Sequence, residues 1–243
     1  MPHISRRELK QDQLRTTYEE FEEFFKQKYR EILTVVGIVV VVGGLAGGLR
    51  VYQDRREAEA DLQLGIALRT FRAYVGSASQ VSAIPGLQSF PTAQAKYQKA
   101  LEQFQEVIQK QSRFPQPKSV EIARYHVGLC QARLGDTAAA LKTLEEASRS
   151  SDPELAALAQ YALAGELVKT GKIEDAAKIY NQLASHPTST VPEAAARLAL
   201  ADAYRATQPA KAREIYQQLE KKFGSDVTVA QALKDQIATL PSR

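Results

Sequence analysis

The sequence predicts an all-α protein: a single transmembrane helix followed by an α-solenoid of helical hairpins, closed by a C-terminal capping helix. Three observations carry this. Residues 32–49 are 18 consecutive positions without a charge, alanines recur 36 residues apart at Ala140, Ala176 and Ala212, and turn signals between helical segments fall in pairs. The 243 residues, 44% hydrophobic and 25% charged, have the composition of a folded chain rather than a solvated tail. The single cysteine, Cys130, excludes an intramolecular disulfide, and a net charge of +4 is far from the clustered basic surface of a nucleic-acid binder.

Residues 1–31 hold seven basic and seven acidic side chains and read as a cytoplasmic amphipathic helical tail. Leu14, Tyr18, Phe21, Phe24, Phe25 and Tyr29 follow three- and four-residue spacings, while Glu19, Glu20, Glu22 and Glu23 oppose adsorption to anionic lipid. Such a stripe rests on a partner or at the interface, or else the tail is a solvated continuation of the next helix.

Residues 32–52 read as the anchor. Its 18 uncharged positions make a helix of about 27 Å against a hydrocarbon core of roughly 30 Å, and Val51 and Tyr52 extend it. Lipid gives the backbone no partners, so the segment is helical despite its valines and glycines. A buried helix of a soluble domain and a signal peptide cleaved near Gly44-Leu45-Ala46 are the rival readings. A tail with as many acids as bases is unlike a short positive leader. Lys26, Lys28 and Arg30 nearly balance Arg50, Arg55 and Arg56, but a short tail before a long domain favours a cytoplasmic N-terminus and an extracytoplasmic C-terminal part. Gly43 with Gly47, and Gly44 with Gly48, are spaced for close helix packing, with a second copy or another membrane protein.

Residues 53–91 read as an anchor-proximal helix and a loop carrying Pro85, Gly86 and Pro91, and residues 92–243 as the repeat array. Four positions after each periodic alanine come Leu144, Tyr180 and Tyr216, and three later Ala147, Leu183 and Leu219. Gly135, Gly171 and the Thr207-Gln208-Pro209 stretch mark the turn inside each hairpin. An earlier hairpin is expected from residue 57 onward, because Ala100, Leu101, Phe104, Val107 and Ile108 repeat the second-helix pattern. Residues 227–240 form an amphipathic cap with Ser225 or Asp226 as N-cap.

No chemistry-bearing motif stands out. His3, His126 and His186 have no ligand spacing, Cys130 lies inside an apolar helix beside Gly128 and Leu129, and no phosphate loop, nucleophile elbow or carboxylate pair occurs. The expectation is a non-enzyme with no cofactor and no metal.

These residues resemble the tetratricopeptide repeat, a helix-turn-helix unit of about 34 residues. Gly128 and Ala140 stand at the family's two small-residue positions, with Gly135 in the turn and Pro153 near the end. Leu200 at a small-residue position and Thr207 in place of the turn glycine depart from the pattern and leave a local register shift open. The resemblance implies a groove lined by the first helices. There Arg133, Lys169 and Arg205 recur as a basic ladder beside Tyr125, Tyr161 and Tyr204, either to bind extended polypeptide or merely to cap helix ends and pack. Members that clamp a chaperone's terminal carboxylate carry Lys and Asn where this chain has Tyr125 and Leu129, then Tyr161 and Gly165, so that specificity is not expected.

Tail, anchor and array together resemble the ancillary subunit family of the bacterial SecYEG translocon. That resemblance implies an inner-membrane adaptor with a periplasmic array, meeting translocon subunits, periplasmic chaperones or nascent polypeptides. The alternative is an envelope scaffold coordinating cell-wall synthesis or outer-membrane assembly.

Overall fold

The structure is a computed structural model describing residues 6–76, 88–111, 117–224 and 227–240, with backbone alone for 6–28, 32, 35, 227–230 and 232. The stripe Leu14, Tyr18, Phe21, Phe24 and Phe25 and the N-cap at Ser225 or Asp226 lie outside the described side chains. In order, the elements are α1 (Arg6–Arg72), β1 (Tyr74–Val75), β2 (Ser89–Phe90), α2 (Ala93–Lys110), α3 (Lys118–Leu134), α4 (Thr137–Ala147), α5 (Pro153–Lys169), α6 (Ile173–Ser185), α7 (Glu193–Tyr204), α8 (Pro209–Phe223) and α9 (Val227–Ala238). The chain divides into two units, Met1–Arg55 and Arg56–Arg243.

In the first unit the apolar run is helical, and every described side chain from 29 to 55 is exposed. A Cβ added at Gly43, Gly44, Gly47 or Gly48 would meet nothing within 4 Å.

In the second unit each helix from α2 to α9 packs on its sequence neighbours, as short connections require. The periodic residues are the reason. Ala140, Ala176 and Ala212 are fully buried, and Leu144, Tyr180 and Tyr216 fill the space beside them. The first hairpin follows the same rule, with Ala100, Phe104 and Val107 of α2 buried against Leu64 and Ala67 of α1. In the connection between these helices, read from sequence as a loop or irregular insertion longer than a tight turn, the backbone forms a parallel pairing of Tyr74 with Ser89 and Val75 with Phe90. Thr70 Oγ1 donates to Gln88 Oε1 at 3.3 Å beside it.

Turn chemistry matches the sequence at two hairpins and departs at the third. Gly135 and Gly171 take left-handed φ values of 85° and 77°, which end α3 and α5 without Cβ strain. Asp136 then caps α4 by accepting from the Ala139 N–H at 3.1 Å, and Asp152 caps α5 through Glu154 N–H at 2.9 Å. With Thr207 in place of glycine, α7 stops at Tyr204 and Gln208 N–H closes back on the Tyr204 carbonyl at 2.7 Å. Leu200 is nonetheless buried, and Ala212, Tyr216 and Leu219 keep their register.

Two apolar clusters result among the described residues. One joins Leu64, Ala67, Phe104, Val127 and Cys130; the other runs from Ala157 to Leu240. His126 sits at the edge of the first, stacked on Phe104 at 5.0 Å and edge-on to Phe71 at 5.3 Å. Burial holds its pKa below the ordinary value of 6.5, aided by the charge of Arg72 and opposed by the hydrogen bond of Nδ1 to the Ile122 carbonyl.

Two predictions follow from packing and burial. A Cβ at Gly128 would lie 2.7 Å from a Leu144 methyl, whereas one at Gly165 meets just the Tyr180 hydroxyl at 3.8 Å. Gly128→Ala is expected to destabilise the array by about 1–3 kcal/mol. Gly165→Ala should stabilise it by up to ~1 kcal/mol through helix propensity, both read from urea unfolding by circular dichroism. The unfolded chain protonates His126 near pH 6.5 while the fold resists. Its contribution is therefore complete above that pH and lost as the pH falls toward the depressed folded value. His126→Phe should flatten the slope of stability against pH below pH 6.5.

Candidate partner-binding wall

The first helices of successive hairpins adjoin directly, α3 touching α5 and α5 touching α7. Their equivalent turns therefore line one wall. Because the three helices share the 36-residue period, the same turn of each presents Tyr125, Tyr161 and Arg197, while Arg133 and Lys169 stand in the last turns of α3 and α5 and Arg205 follows the end of α7.

The six side chains singled out by sequence do not act alike. Tyr125 and Tyr161 are half-buried at matching positions. The Tyr125 ring meets His126 edge-on at 5.1 Å, and the Tyr161 ring meets Tyr180 at 5.5 Å. Burial raises both phenol pKa values, with the charge of Asp202 adding at Tyr161, so both remain neutral hydrogen-bonding groups. Arg133 is exposed at the end of α3, and no hydrogen bond or ion pair engages it among the described residues.

The other three are used internally. Lys169 Nζ lies 2.5 Å from Glu166 Oε1, so its charge is balanced at short range by a buried carboxylate. Arg205 donates through Nη1 to Gln236 Oε1 at 2.8 Å and through Nη2 to Thr239 Oγ1 at 2.6 Å, which ties α7 to the capping helix. Tyr204 is 7% exposed, and its hydroxyl donates to Glu174 Oε2 at 3.2 Å, beside the Gln208 amide at 2.8 Å from Oε1. The expected ladder therefore becomes one open cation, one neutralised cation and one structural cation, and Tyr204 leaves the wall for the core. The physical reason is the early end of α7, which brings Tyr204 over Glu174 and Arg205 against α9.

Sequence reasoning passed over two features of this wall. Gly165 replaces the Leu129 of the preceding hairpin and opens a notch in which the Tyr180 hydroxyl would be the nearest neighbour of any added Cβ. Asp202 accepts from the Tyr216 hydroxyl, a bond whose signal is the recurrence of tyrosine where the second hairpin has Leu144. Cys130 is fully buried and burial pushes its thiol up to about 12, so no thiolate forms near neutral pH.

Carboxylates at the hairpin junctions hold the wall in shape. Glu154 accepts from the Ser189 and Thr190 N–H groups at 3.2 and 2.9 Å, and these bonds hold its pKa down at about 2. Glu193 accepts from Arg197 and Lys222 at 2.8 and 2.7 Å, and Glu121 accepts from Ser150.

Comparison with known proteins gives the same architecture. Two crystal structures of a putative kinesin light chain from Podosopora anserina with nearly identical TPR-like repeats, one of them a single-substitution variant, each superpose with a TM-score of 0.56. They are 17% and 18% identical and cover 75% of this chain and 84% and 85% of their own, a likeness of fold alone. A search of curated proteins finds no match. The tetratricopeptide-repeat family profile matches residues 92–156 and 161–227, more than half of the sequence. By that match over more than half of its length, this chain belongs to the tetratricopeptide-repeat family.

Proposed function

We propose that the protein is a membrane-anchored adaptor whose repeat array binds polypeptide at the outer face of a bacterial inner membrane. In this reading it serves as an ancillary component of the translocon and periplasmic chaperone network. The observation that carries it is the pairing of an 18-residue uncharged helix, exposed along its described length, with an array of protein-binding repeats in the same chain. Tetratricopeptide arrays mediate protein-protein interaction, and this one offers half-buried tyrosines and the exposed Arg133 on its inner wall. An anchor raises the local concentration of such a wall near the exit of a channel, so weak contacts with passing chains suffice.

Topology follows the same reading, with the N-terminal tail cytoplasmic and the array periplasmic. The open glycine faces at Gly43, Gly47, Gly44 and Gly48 would let the anchor pack on a second copy or on another membrane helix.

Four measurements test these statements. A reporter fused after Arg243 should be active only when exported; cytoplasmic activity reverses the topology. Mild crosslinking in intact membranes should recover translocon subunits, chaperones or nascent chains, whereas cell-wall enzymes without them would select the scaffold role. Arg133→Glu with Tyr125→Ala should weaken peptide binding at least tenfold with unchanged helical circular dichroism. Arg205→Glu is expected instead to loosen α9 and lower the unfolding midpoint.

A further inference from the structure

In the third hairpin a glycine leaves a buried polar group uncovered. Leu129 of the second hairpin stands 36 residues before Gly165, where the side chain is missing. A Cβ built at Gly165 would meet the Tyr180 hydroxyl at 3.8 Å, so this hydroxyl faces the notch. Tyr180 is 4% exposed, and its hydroxyl makes no hydrogen bond among the described residues. A phenol oxygen held out of water without a partner is costly, and here it is aimed at open space. The Tyr161 ring stands edge-on beside it, with centroids 5.5 Å apart, and its hydroxyl is likewise unbonded among the described residues.

The adjoining helix α7 adds a charge. Asp202 is exposed; Oδ1 accepts from the Tyr216 hydroxyl, and no cation pairs with the carboxylate among the described residues. Arg205, one turn on, is engaged by Gln236 and Thr239, and Arg197, the preceding basic residue, is held by Glu193. Asp202 lies close enough to act on both phenols of the notch: burial raises the pKa of Tyr161 and of Tyr180, and the charge of Asp202 adds at each.

An uncompensated carboxylate, a bond-seeking phenol oxygen and an aromatic ring around a narrow opening call for a thin, positively charged group with several N–H donors. A guanidinium has that form. Its plane can lie on a tyrosine ring while its fork donates to a carboxylate and to a phenol oxygen together. An ammonium donates from a single point, and an acidic group would meet the charge of Asp202. We propose that the Gly165 notch, with Tyr161, Tyr180 and Asp202, is a subsite for an arginine side chain of a bound polypeptide. This rests on the reading of the wall as a polypeptide-binding surface and names the side chain that the wall selects.

The test uses the full chain in detergent micelles and two fluorescein-labelled nonapeptides of alternating Ala and Ser, one with a central arginine and one with citrulline, its neutral isostere. Fluorescence anisotropy should show the arginine peptide binding at least fivefold more tightly. Asp202→Asn keeps an acceptor for the Tyr216 hydroxyl and should bring the two peptides within twofold of each other, with unchanged helical circular dichroism. Tyr180→Phe keeps the ring, loses the hydroxyl and should at least halve the preference. Equal binding of the two peptides to the unsubstituted chain, or a preference that survives Asp202→Asn, would overturn the subsite and leave the wall as a binding surface. Binding of neither peptide would overturn both.

Discussion

The array depends on one steric constraint, the close crossing of the two helices inside each hairpin. Ala140, Ala176 and Ala212 are buried to the last atom because the first helix of each pair leaves no room for a larger side chain. At Gly128 the crossing is close enough that the Leu144 side chain occupies the place of the missing Cβ. Given that approach, the residue four positions later must fill the layer between hairpins, and Phe104, Leu144, Tyr180 and Tyr216 do so with different volumes and different polarity.

Those differences propagate. A phenylalanine or leucine in the layer asks nothing of its surroundings, but a buried tyrosine needs a place for its hydroxyl. Tyr216 finds Asp202, and burial, aided by the neighbouring Tyr161 phenol and the charge of Asp202, raises the pKa of Tyr180. Glu166, at the position equivalent to Asp202, has no phenol bonded to it and keeps an unpartnered oxygen. Polar residues of the first helices are thus drawn into the array's own cohesion before they can serve a ligand.

The carboxylates at the junctions show the same economy from outside the core. Glu121 and Glu154 each reach from the start of a first helix to the segment leading into the next hairpin, and Glu193 reaches from the start of α7 to Lys222 at the end of α8. Glu154, accepting backbone N–H groups, forms the most directional of these ties, and its depressed pKa is the electrostatic trace of that geometry.

By itself the sequence determined the class, the hairpin order, the burial of the periodic alanines and of the bulky residues four positions after them, and the presence of an apolar helix of membrane length. All of these follow from periodicity, which acts locally along a helix and is written in consecutive residues. The tertiary structure decided what the polar side chains do. Arg133, Lys169 and Arg205 look equivalent at 36-residue spacing, yet one is open, one faces a buried carboxylate and one clamps the cap. Their partners, Glu166, Gln236 and Thr239, come from different turns and from a helix outside the period. The fate of a charge depends on the atoms across the contact rather than on its own place in the repeat.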